Sequence, residues 1–473
     1  MRVATLSPRQ RCMVALGLLL TFAALLRLWA TMTLGARAGM HADEWQYVRA
    51  AYSIFCGQGY PDTFRPPLFP AMLALAFTIG GAVPLAAQVA QIFVGVGTVA
   101  IVYGLARPRF GCRAALLSAA FVAINPTLVN YTHFLWSETL CAFLLAAVVL
   151  ALDRFDLTRR EAWLVVAGIA LGCGALTREE VLYLLPVPVF WLATYAGAWR
   201  RRSRELALLI LPVVLLVGSW TVRNALHEGH FVLISTARWA PIAEGLLPNR
   251  TGFLRRLDEH GRDFEREAFA RSVAVEALRH SGPRQLMSKL WAGPLQLFSI
   301  DNQTGRFVRE RWFPVGYGPS ARSIAQLEVI FHVVLMLLGV LGLWLVPGGR
   351  TKSLIVGIIL LFVAIHTLAI ANHRHRVSLL PLLTLYVGPL LCGFGRRPEQ
   401  ARWRYAGAAV TTALFLVVVA QSFSTPPVQR ILVGGGAIAV RKGGSVRGER
   451  REERFERRFR QRQDSVCVAL PRG

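Results

Sequence analysis

The sequence predicts an all-α polytopic membrane protein with about 11 transmembrane helices, and three observations support this fold class. Hydrophobic residues make up 54% of the 473 residues and charged residues only 17%, whereas about a quarter of the residues in a soluble domain are charged. The mean hydropathy is +0.45. Long apolar runs recur between Cys12 and Gln421, and a helix satisfies its own backbone polar groups in lipid.

Clusters of basic residues between the apolar runs indicate which loops face the cytoplasm. They are the N-terminus, RPRFGCR (107–113), DRFDLTRRE (153–161), RRRSR (200–204), PGGRTK (347–352) and RRPEQARWR (396–404). Three crossings before RPRFGCR would place that loop outside and invert every later loop. Segment 66–80 has only about 15 residues and opens with a Pro pair, so we expect it to lie at the outer membrane surface instead of spanning.

The remaining apolar runs then alternate correctly with the basic loops. The predicted spans are 12–30, 85–106, 112–128, 136–152, 162–177, 181–199, 205–221, 325–346, 353–371, 377–395 and 405–421. The first run resembles a signal peptide, but Arg27 interrupts it and no small-residue cleavage site precedes Asp43, so we expect an uncleaved span. We expect one membrane domain over 1–421 and a basic, disordered tail over 422–473.

The net charge of +26 raises the question of a nucleic-acid partner. The Arg residues lie mostly between apolar runs and in the tail, which is typical of charges that set topology and attract anionic lipid. We therefore expect no nucleic acid. The seven Cys residues, at 12, 56, 112, 141, 173, 392 and 467, form no CxxC pair. The sequence predicts neither a disulfide framework nor a metal site from them.

This topology collects the polar loops on the outer face. They are 31–84, 125–138, TREE (177–180), a long helix-patterned segment over 222–324, and NHRHR (372–376). The inner loops are short and basic only. We therefore expect the functional site on the outer face.

Two adjacent acids, Asp43 and Glu44, follow the first span beside the aromatic residues Trp45 and Tyr47. They have two interpretations: solvated residues of a linker, or a general base held at the membrane surface, where aromatic side chains are common. Glu138 begins a later span, where an acid in the first turn and Ser137 as N-cap have a purely structural explanation.

Three arginines on the same face are candidates for binding an anion. Arg65 precedes the Pro pair that starts a helix, so a cation and a helix N-terminus coincide there; an arginine reaching lipid headgroups is the alternative. Arg374 and Arg376 lie in NHRHR, where two His at a spacing of two suit zinc poorly and two Arg suit phosphate. For Arg178, pairing with Glu179 and Glu180 within its own helix is the structural interpretation.

Six motifs occur in the order found in bacterial membrane glycosyltransferases. They are DEWQY, RPPLFPAMLALA, NPTLVNYTHFLWSETL, LGCGALTREEVLYLLP, SWTVRNALHEGHFVLISTARWAPIAEGLLPNRTG and HRHRVSLLPLL. The set resembles the protein O-mannosyltransferases and aminoarabinose transferases of the glycosyltransferase C superfamily, from Cys12 to Gln421. The resemblance implies a multispan helical fold whose long first extracytoplasmic loop carries interfacial helices and the catalytic base. It also implies sugar transfer from a polyprenyl-phosphate carrier, usually with inversion.

The resemblance assigns roles to particular residues by position. Asp43 matches the catalytic Asp, and Glu44 matches its acidic neighbour. Arg65 matches a basic residue that contacts the carrier phosphate. Arg374 or Arg376 matches the basic motif before the late span. From the chemistry of the transfer, we expect Arg374 or Arg376 to bind the donor phosphate with Arg65, and Glu138 and Tyr47 to take secondary roles on the acceptor side. Gln46 departs from the family pattern, because several relatives have a basic residue there.

The sequence thus predicts a glycosyltransferase of the bacterial inner membrane with its active site on the extracytoplasmic face. A polyprenyl-phosphate sugar and membrane lipid are the expected partners, and the acceptor is open among lipid, glycan and protein. No cofactor is expected, and a divalent cation is not expected either. The alternatives are a secondary transporter or flippase for a lipid-linked or anionic substrate, and an inactive carrier-binding relative. Transporters place ionisable residues near the bilayer midplane, often in repeats, whereas these acids cluster at span ends.

Overall fold

The computed structural model describes residues 7–35, 42–61, 63–195, 197–247, 250–309, 318–395 and 402–423, and within these ranges it is helical without any strand. The disordered tail is predicted over 422–473, and its residues from 424 onward lie outside the described part of the chain.

The helices are numbered in chain order. They are α1 (Pro8–Ala30), α2 (Ala42–Phe55), α3 (Leu68–Gly80), α4 (Pro84–Ile124), α5 (Pro126–Asn130), α6 (Glu138–Thr158), α7 (Ala162–Ala175), α8 (Pro186–Ala193), α9 (Trp199–Glu228), α10 (Ala240–Leu246), α11 (Arg250–Glu259), α12 (Asp263–His280), α13 (Pro283–Leu297), α14 (Gln303–Arg309), α15 (Gly318–Leu345), α16 (Gly349–Leu368), α17 (Leu380–Thr384), α18 (Val387–Leu391) and α19 (Arg402–Phe423). A π-helical turn covers Thr31–Gly35, and 3-10 turns cover Glu179–Leu184 and His375–Leu379.

The predicted membrane fold is confirmed, because each predicted span coincides with a helix or a run of short helices. In the described ranges, six helices are long and apolar enough to cross a bilayer: α1, α4, α9, α15, α16 and α19. Helix α4 has 41 residues and breaks at Gly111, whose backbone is not helical (φ 76°). Its two halves correspond to the predicted spans 85–106 and 112–128.

Helix α3 covers the segment that the loop pattern excludes as a span. Its 13 residues measure about 20 Å at about 1.5 Å per residue, shorter than the hydrocarbon core of about 30 Å. It packs against α2 and α4. This length agrees with the predicted position at the membrane surface but does not decide it, because α7 in the predicted span 162–177 has only 14 residues.

Two buried clusters of apolar side chains form the core. The larger one joins the spanning helices, with the closest packing between α6 and α7, α7 and α9, and α1 and α4. The smaller one joins α10, α11 and α12 through Ala243, Phe253 and Ala270. We call α10–α13 the outer cap, because it follows the end of α9 that the basic loops predict to face outward.

Arg27, which interrupts the first apolar run, is buried against the end of α4. Its guanidinium donates to the Ala123 carbonyl (3.0 Å) and the Val122 carbonyl (3.3 Å). These carbonyls belong to the last turn of a helix, which lacks intrahelical donors. Arg27 therefore satisfies backbone groups that lipid could not.

The prediction that the cysteines form no disulfide is wrong for Cys12 and Cys112. Their sulfurs are bonded and join the start of α1 to the break in α4. The two residues are 100 positions apart, and pairing over such a distance leaves no signature in local spacing.

Helix α18 packs backbone to backbone against the second half of α4. The Ser118 hydroxyl donates to the Leu385 carbonyl (2.8 Å) and accepts from the Gly388 N–H (3.1 Å). A Cβ at Gly388 would overlap the Ala114 carbonyl oxygen and the Ser118 nitrogen. Close approach through small residues is how helices associate in lipid.

We expect Gly388→Ala to lower the free energy of unfolding by about 3 kcal/mol, because the added methyl group meets rigid backbone. Gly218→Ala in α9 is the matched control, since a Cβ added at Gly218 would meet no atom within 4 Å, and alanine there should be neutral or stabilising by up to about 1 kcal/mol. Thermal unfolding of the detergent-solubilised protein compares the two. Equal stability of both variants would contradict this packing.

Candidate active site

Charged side chains from five separate segments meet at one end of the helical bundle. They are Asp43, Arg65, Glu138, Arg178, Glu180 and Arg374, which we call the charged cluster. Each of them comes from a loop or helix end that the sequence places on the outer face. The topology therefore brings together residues from the two ends of the chain.

Asp43 lies in the first turn of α2, and two guanidinium groups hold its carboxylate. Arg65 Nη2 donates to Oδ1 (2.8 Å), and Arg374 Nη1 donates to Oδ2 (2.6 Å). Arg65 also donates through Nε to the Gln46 side chain (2.8 Å). The Asp43 side chain is 32% exposed. This carboxylate is therefore within reach of a molecule arriving from outside the bundle.

Glu138 lies opposite Asp43 and is completely buried. Arg374 donates to Glu138 Oε1 through Nε, and Arg178 donates to the same oxygen through Nη1 (2.8 Å). Arg374 also stacks over the Trp136 ring, with its guanidinium carbon 4.0 Å from the ring centroid. One carboxylate thus holds two guanidinium groups, and Arg374 bridges two carboxylates.

The serine before Glu138 does not act as the predicted cap. Ser137 makes no side-chain capping hydrogen bond with α6. Its hydroxyl lies 3.4 Å from the Tyr47 hydroxyl and 3.4 Å from Arg178 Nη1. Tyr47 is buried and lies under the Arg65 guanidinium, 5.4 Å from the ring centroid. Tyr47 and Ser137 therefore line the inner side of the charged cluster.

Glu44 and Arg376 take other partners. The Glu44 carboxylate is buried and accepts a hydrogen bond from the Leu135 N–H (2.7 Å), which ties α2 to the loop before α6. Arg376 donates to the carbonyls of Leu297 (3.2 Å), Ser299 and Asp301 (3.0 Å). Burial lowers the pKa of Arg376 to about 10. Of the two arginines in HRHR, the structure brings Arg374 into the charged cluster.

The sequence did not predict that Arg178 and Glu180 belong to the charged cluster. The predicted pairing of Arg178 is confirmed for Glu180 only, while Glu179 accepts hydrogen bonds from Ser235 (2.8 Å) and Tyr183 (3.0 Å). Three charged residues between two apolar runs are the signal in the sequence. His366, at the end of α16, has its Nε2 atom 3.8 Å from Glu180 Oε1. No sequence pattern predicts this contact.

The pKa of Asp43 reflects its two cations. Burial alone would raise it, but Arg65 and Arg374 hold the pKa well below the ordinary value for an aspartate. For the cation Arg65, burial acts in the opposite direction and would lower the pKa. The Asp43 carboxylate outweighs burial, so the pKa of Arg65 is raised. Within the charged cluster as a whole, three carboxylates face three guanidinium groups, so the charges balance.

No cluster of three or more His, Cys, Asp and Glu residues able to hold a metal ion occurs in the part of the chain that the structure describes. The carboxylates of the charged cluster are each engaged by at least one guanidinium. This arrangement can bind an anion by exchanging carboxylate for phosphate on an arginine, and it can present a carboxylate as a base.

Comparison with known sequences confirms the resemblance. The model of the dolichyl-phosphate-mannose-protein mannosyltransferase family matches residues 64–221. Two proteins of Bacillus subtilis (strain 168) are each 24% identical to this chain. The matched segments are 174 residues for "Putative mannosyltransferase YycA" and 172 residues for "Putative mannosyltransferase YkcB". These segments are 36% of this chain and span about a quarter of the relatives, 25% and 24% of their lengths.

Solved structures share the fold at low sequence identity. The oligosaccharyltransferase of Archaeoglobus fulgidus in its apo form aligns with a TM-score of 0.50 and 17% identity, over 94% of this chain and 59% of that one. ArnT from Cupriavidus metallidurans bound to undecaprenyl phosphate aligns with a TM-score of 0.41 and 17% identity, over 78% of each chain. The chain is thus similar in fold to the Archaeoglobus fulgidus oligosaccharyltransferase.

We expect Asp43→Asn to reduce stability by an amount that is constant above about pH 5 and shrinks below about pH 4. A carboxyl whose pKa is lowered by folding stabilises the protein above its unfolded pKa of about 3.9, and this contribution is lost as the pH falls toward the folded pKa. Thermal unfolding of both proteins across this pH range measures the difference. Asp258→Asn is the control, because that carboxylate is 64% exposed. A difference that changes between pH 5 and pH 7 would contradict the lowered pKa.

Proposed function

We propose that the protein is a membrane glycosyltransferase that moves a sugar from a polyprenyl-phosphate carrier to an acceptor, with Asp43 as the general base. One observation carries this proposal: a partly exposed carboxylate is held between Arg65 and Arg374 at the end of a membrane helix bundle. The matched family is described as dolichyl-phosphate-mannose-protein mannosyltransferase, which supports a lipid-phosphate sugar donor and makes mannose the first sugar to test.

The donor requires cations at the membrane surface. Its phosphodiester carries one negative charge and stays at headgroup depth, while its polyprenyl chain remains in lipid. Guanidinium groups match the geometry of phosphate oxygens and form paired hydrogen bonds with them. Arg65 and Arg374 fit this requirement, because both lie at the end of the bundle that the basic loops predict to face outward, and neither is fully buried.

Binding of the donor would activate the base. The two arginines hold the pKa of Asp43 low, and a carboxylate with a low pKa removes protons poorly. A phosphate that takes over hydrogen bonds from Arg65 and Arg374 withdraws positive charge from Asp43. The pKa of Asp43 then rises toward its ordinary value, and its strength as a base increases.

The transfer itself needs one proton acceptor and one charge stabiliser. Asp43 takes the proton of an acceptor hydroxyl or amine while the oxygen or nitrogen bonds to the anomeric carbon. The bond from that carbon to the phosphate oxygen breaks, and its electron pair leaves with the phosphate. Arg65 and Arg374 stabilise the charge that develops there. A single displacement of this kind inverts the anomeric carbon.

The other predicted residues take supporting roles in this proposal. Glu138 holds Arg374, and Tyr47 lies beneath Arg65. Glu44 and Arg376 fix backbone segments around the site. We place the reaction on the extracytoplasmic side of the bacterial inner membrane, where the basic loops of the sequence orient this end of the bundle. A transporter would need its charged residues near the bilayer midplane, and the charged cluster lies at helix ends.

We expect the purified protein in nanodiscs to release polyprenyl phosphate from a radiolabelled polyprenyl-phosphate sugar, with polyprenyl-phosphate mannose first in a panel of donors. Asp43→Asn should slow release by about 100- to 10,000-fold, the contribution of a positioned general base. Thin-layer separation of labelled lipid and product follows the reaction with candidate lipid, glycan and peptide acceptors.

Asp258→Asn on the outer cap serves as the matched control and should retain native activity, because Asp258 pairs only with Arg266 among the contacts described. Absence of release with every donor would exclude the proposed reaction. Equal release by the native protein and Asp43→Asn would exclude Asp43 as the base.

A further inference from the structure

The charged cluster has an accessible part and an enclosed part. Asp43 and Arg65 have side chains that are 32% and 24% exposed. Glu138 is 0% exposed and Arg178 is 14% exposed. Arg374 lies between the two parts and contacts both carboxylates. A phosphate that enters from outside therefore meets Asp43 and Arg65 before it could reach Glu138.

Arg178 joins the enclosed part to the rest of the fold. It donates to Glu138 Oε1 (2.8 Å) through Nη1 and to Glu180 through Nε. Glu180 in turn lies beside His366 of α16, with 3.8 Å between Oε1 and Nε2. Arg178 is therefore held on two sides by carboxylates, and neither of them contacts Asp43.

We propose that Arg178 is a positioning residue that fixes the orientation of Glu138, so that Arg374 keeps Nη1 available for the donor phosphate. This inference rests on the proposed function. Arg374 uses Nε and Nη2 (3.4 Å) toward Glu138 and Nη1 (2.6 Å) toward Asp43. During phosphate binding, Nη1 exchanges Asp43 for a phosphate oxygen, while the contacts through Nε and Nη2 stay in place.

The contacts of Glu138 explain why it needs a second partner. Arg374 lies side-on against both carboxylate oxygens, through Nε to Oε1 and Nη2 to Oε2 (3.4 Å), and this leaves Nη1 for Asp43. Arg178 donates to Oε1 from a different residue (2.8 Å) and so restricts rotation of the carboxylate. Without Arg178 the carboxylate can turn, and Arg374 loses the orientation that directs Nη1 toward Asp43.

Glu180 has the opposite effect on the phosphate site. Its negative charge offsets that of Arg178, so the three guanidinium groups do not present an excess of positive charge. The leaving group matters here, because a phosphate monoester carries about −1.5 to −2 charges at pH 7, more than the donor diester. A site with an uncompensated arginine would hold this product strongly. Glu180 therefore favours product release.

The test compares Arg178→Met with Glu180→Gln, because the inference predicts effects of opposite sign on phosphate binding. Arg178→Met should lower kcat/KM for the donor by about 10- to 100-fold, as loss of outer partners does for metal ligands. It should also weaken inhibition by added polyprenyl phosphate. Glu180→Gln should strengthen that inhibition about 3- to 10-fold, since it leaves one positive charge unbalanced. Arg178→Lys, which keeps the charge, should recover part of the loss.

Arg109→Met is the matched control at the opposite end of the bundle. Arg109 is 20% exposed and donates to Asp153, which is 0% exposed, so this change also removes an arginine from a buried carboxylate. All rates are expressed per folded molecule, and Arg109→Met should leave the kinetic constants within about twofold of native.

The outcomes separate this inference from the function on which it rests. Native turnover together with opposite shifts in Arg178→Met and Glu180→Gln supports the inference. Native turnover with shifts of the same sign, or with a loss in Arg178→Met no larger than in Arg109→Met, overturns it and leaves the proposed function standing. No turnover by the native protein overturns both.

Discussion

The contact of Arg374 with Asp43 and Glu138 joins parts of the chain that are far apart in sequence. Arg374 and Asp43 are 331 positions apart, and Arg374 and Glu138 are 236 positions apart. Charges at the end of a lipid-embedded bundle must be paired, because their transfer out of water is costly. Asp43 and Glu138 are each paired with arginines from other segments of the chain. The placement of α2, α6 and the 372–376 loop therefore depends on this pairing.

A second network at the opposite end shows what the same principle gives with less exposed carboxylates. Arg109 donates to Asp153 Oδ1 through Nε (2.9 Å) and Nη2 (2.6 Å), and the Thr351 hydroxyl donates to the same oxygen (2.8 Å). Asp153 is completely buried, and Asp156, which also accepts from Arg109 Nη2 (3.4 Å), is 14% exposed. This network joins α4, α6 and α16. The charged cluster differs because Asp43 is partly exposed, which makes exchange with a ligand feasible.

Hydropathy and basic loops were sufficient to predict the helices and to place Asp43, Arg65 and Arg374 on one face. They were not sufficient to predict which of two neighbouring charged residues, Asp43 or Glu44, and Arg374 or Arg376, joins the charged cluster. Residues one position apart on a helix point about 100° apart, and this geometry sends Asp43 to the arginines and Glu44 to the Leu135 N–H. Arg374 and Arg376, two positions apart at the start of a 3-10 turn, also point in different directions and contact different partners. The direction of a side chain depends on the packing of its helix, which the sequence pattern does not specify.

The low pKa of Asp43 has a consequence for the proposed reaction. Arg65 and Arg374, which lower this pKa, are the residues proposed to bind the donor phosphate. If the donor takes over their hydrogen bonds, the strength of Asp43 as a base depends on whether a donor is bound. Without a donor, Asp43 is a weak base toward water at its partly exposed position. In the proposed reaction, proton removal is therefore coupled to donor binding through charge.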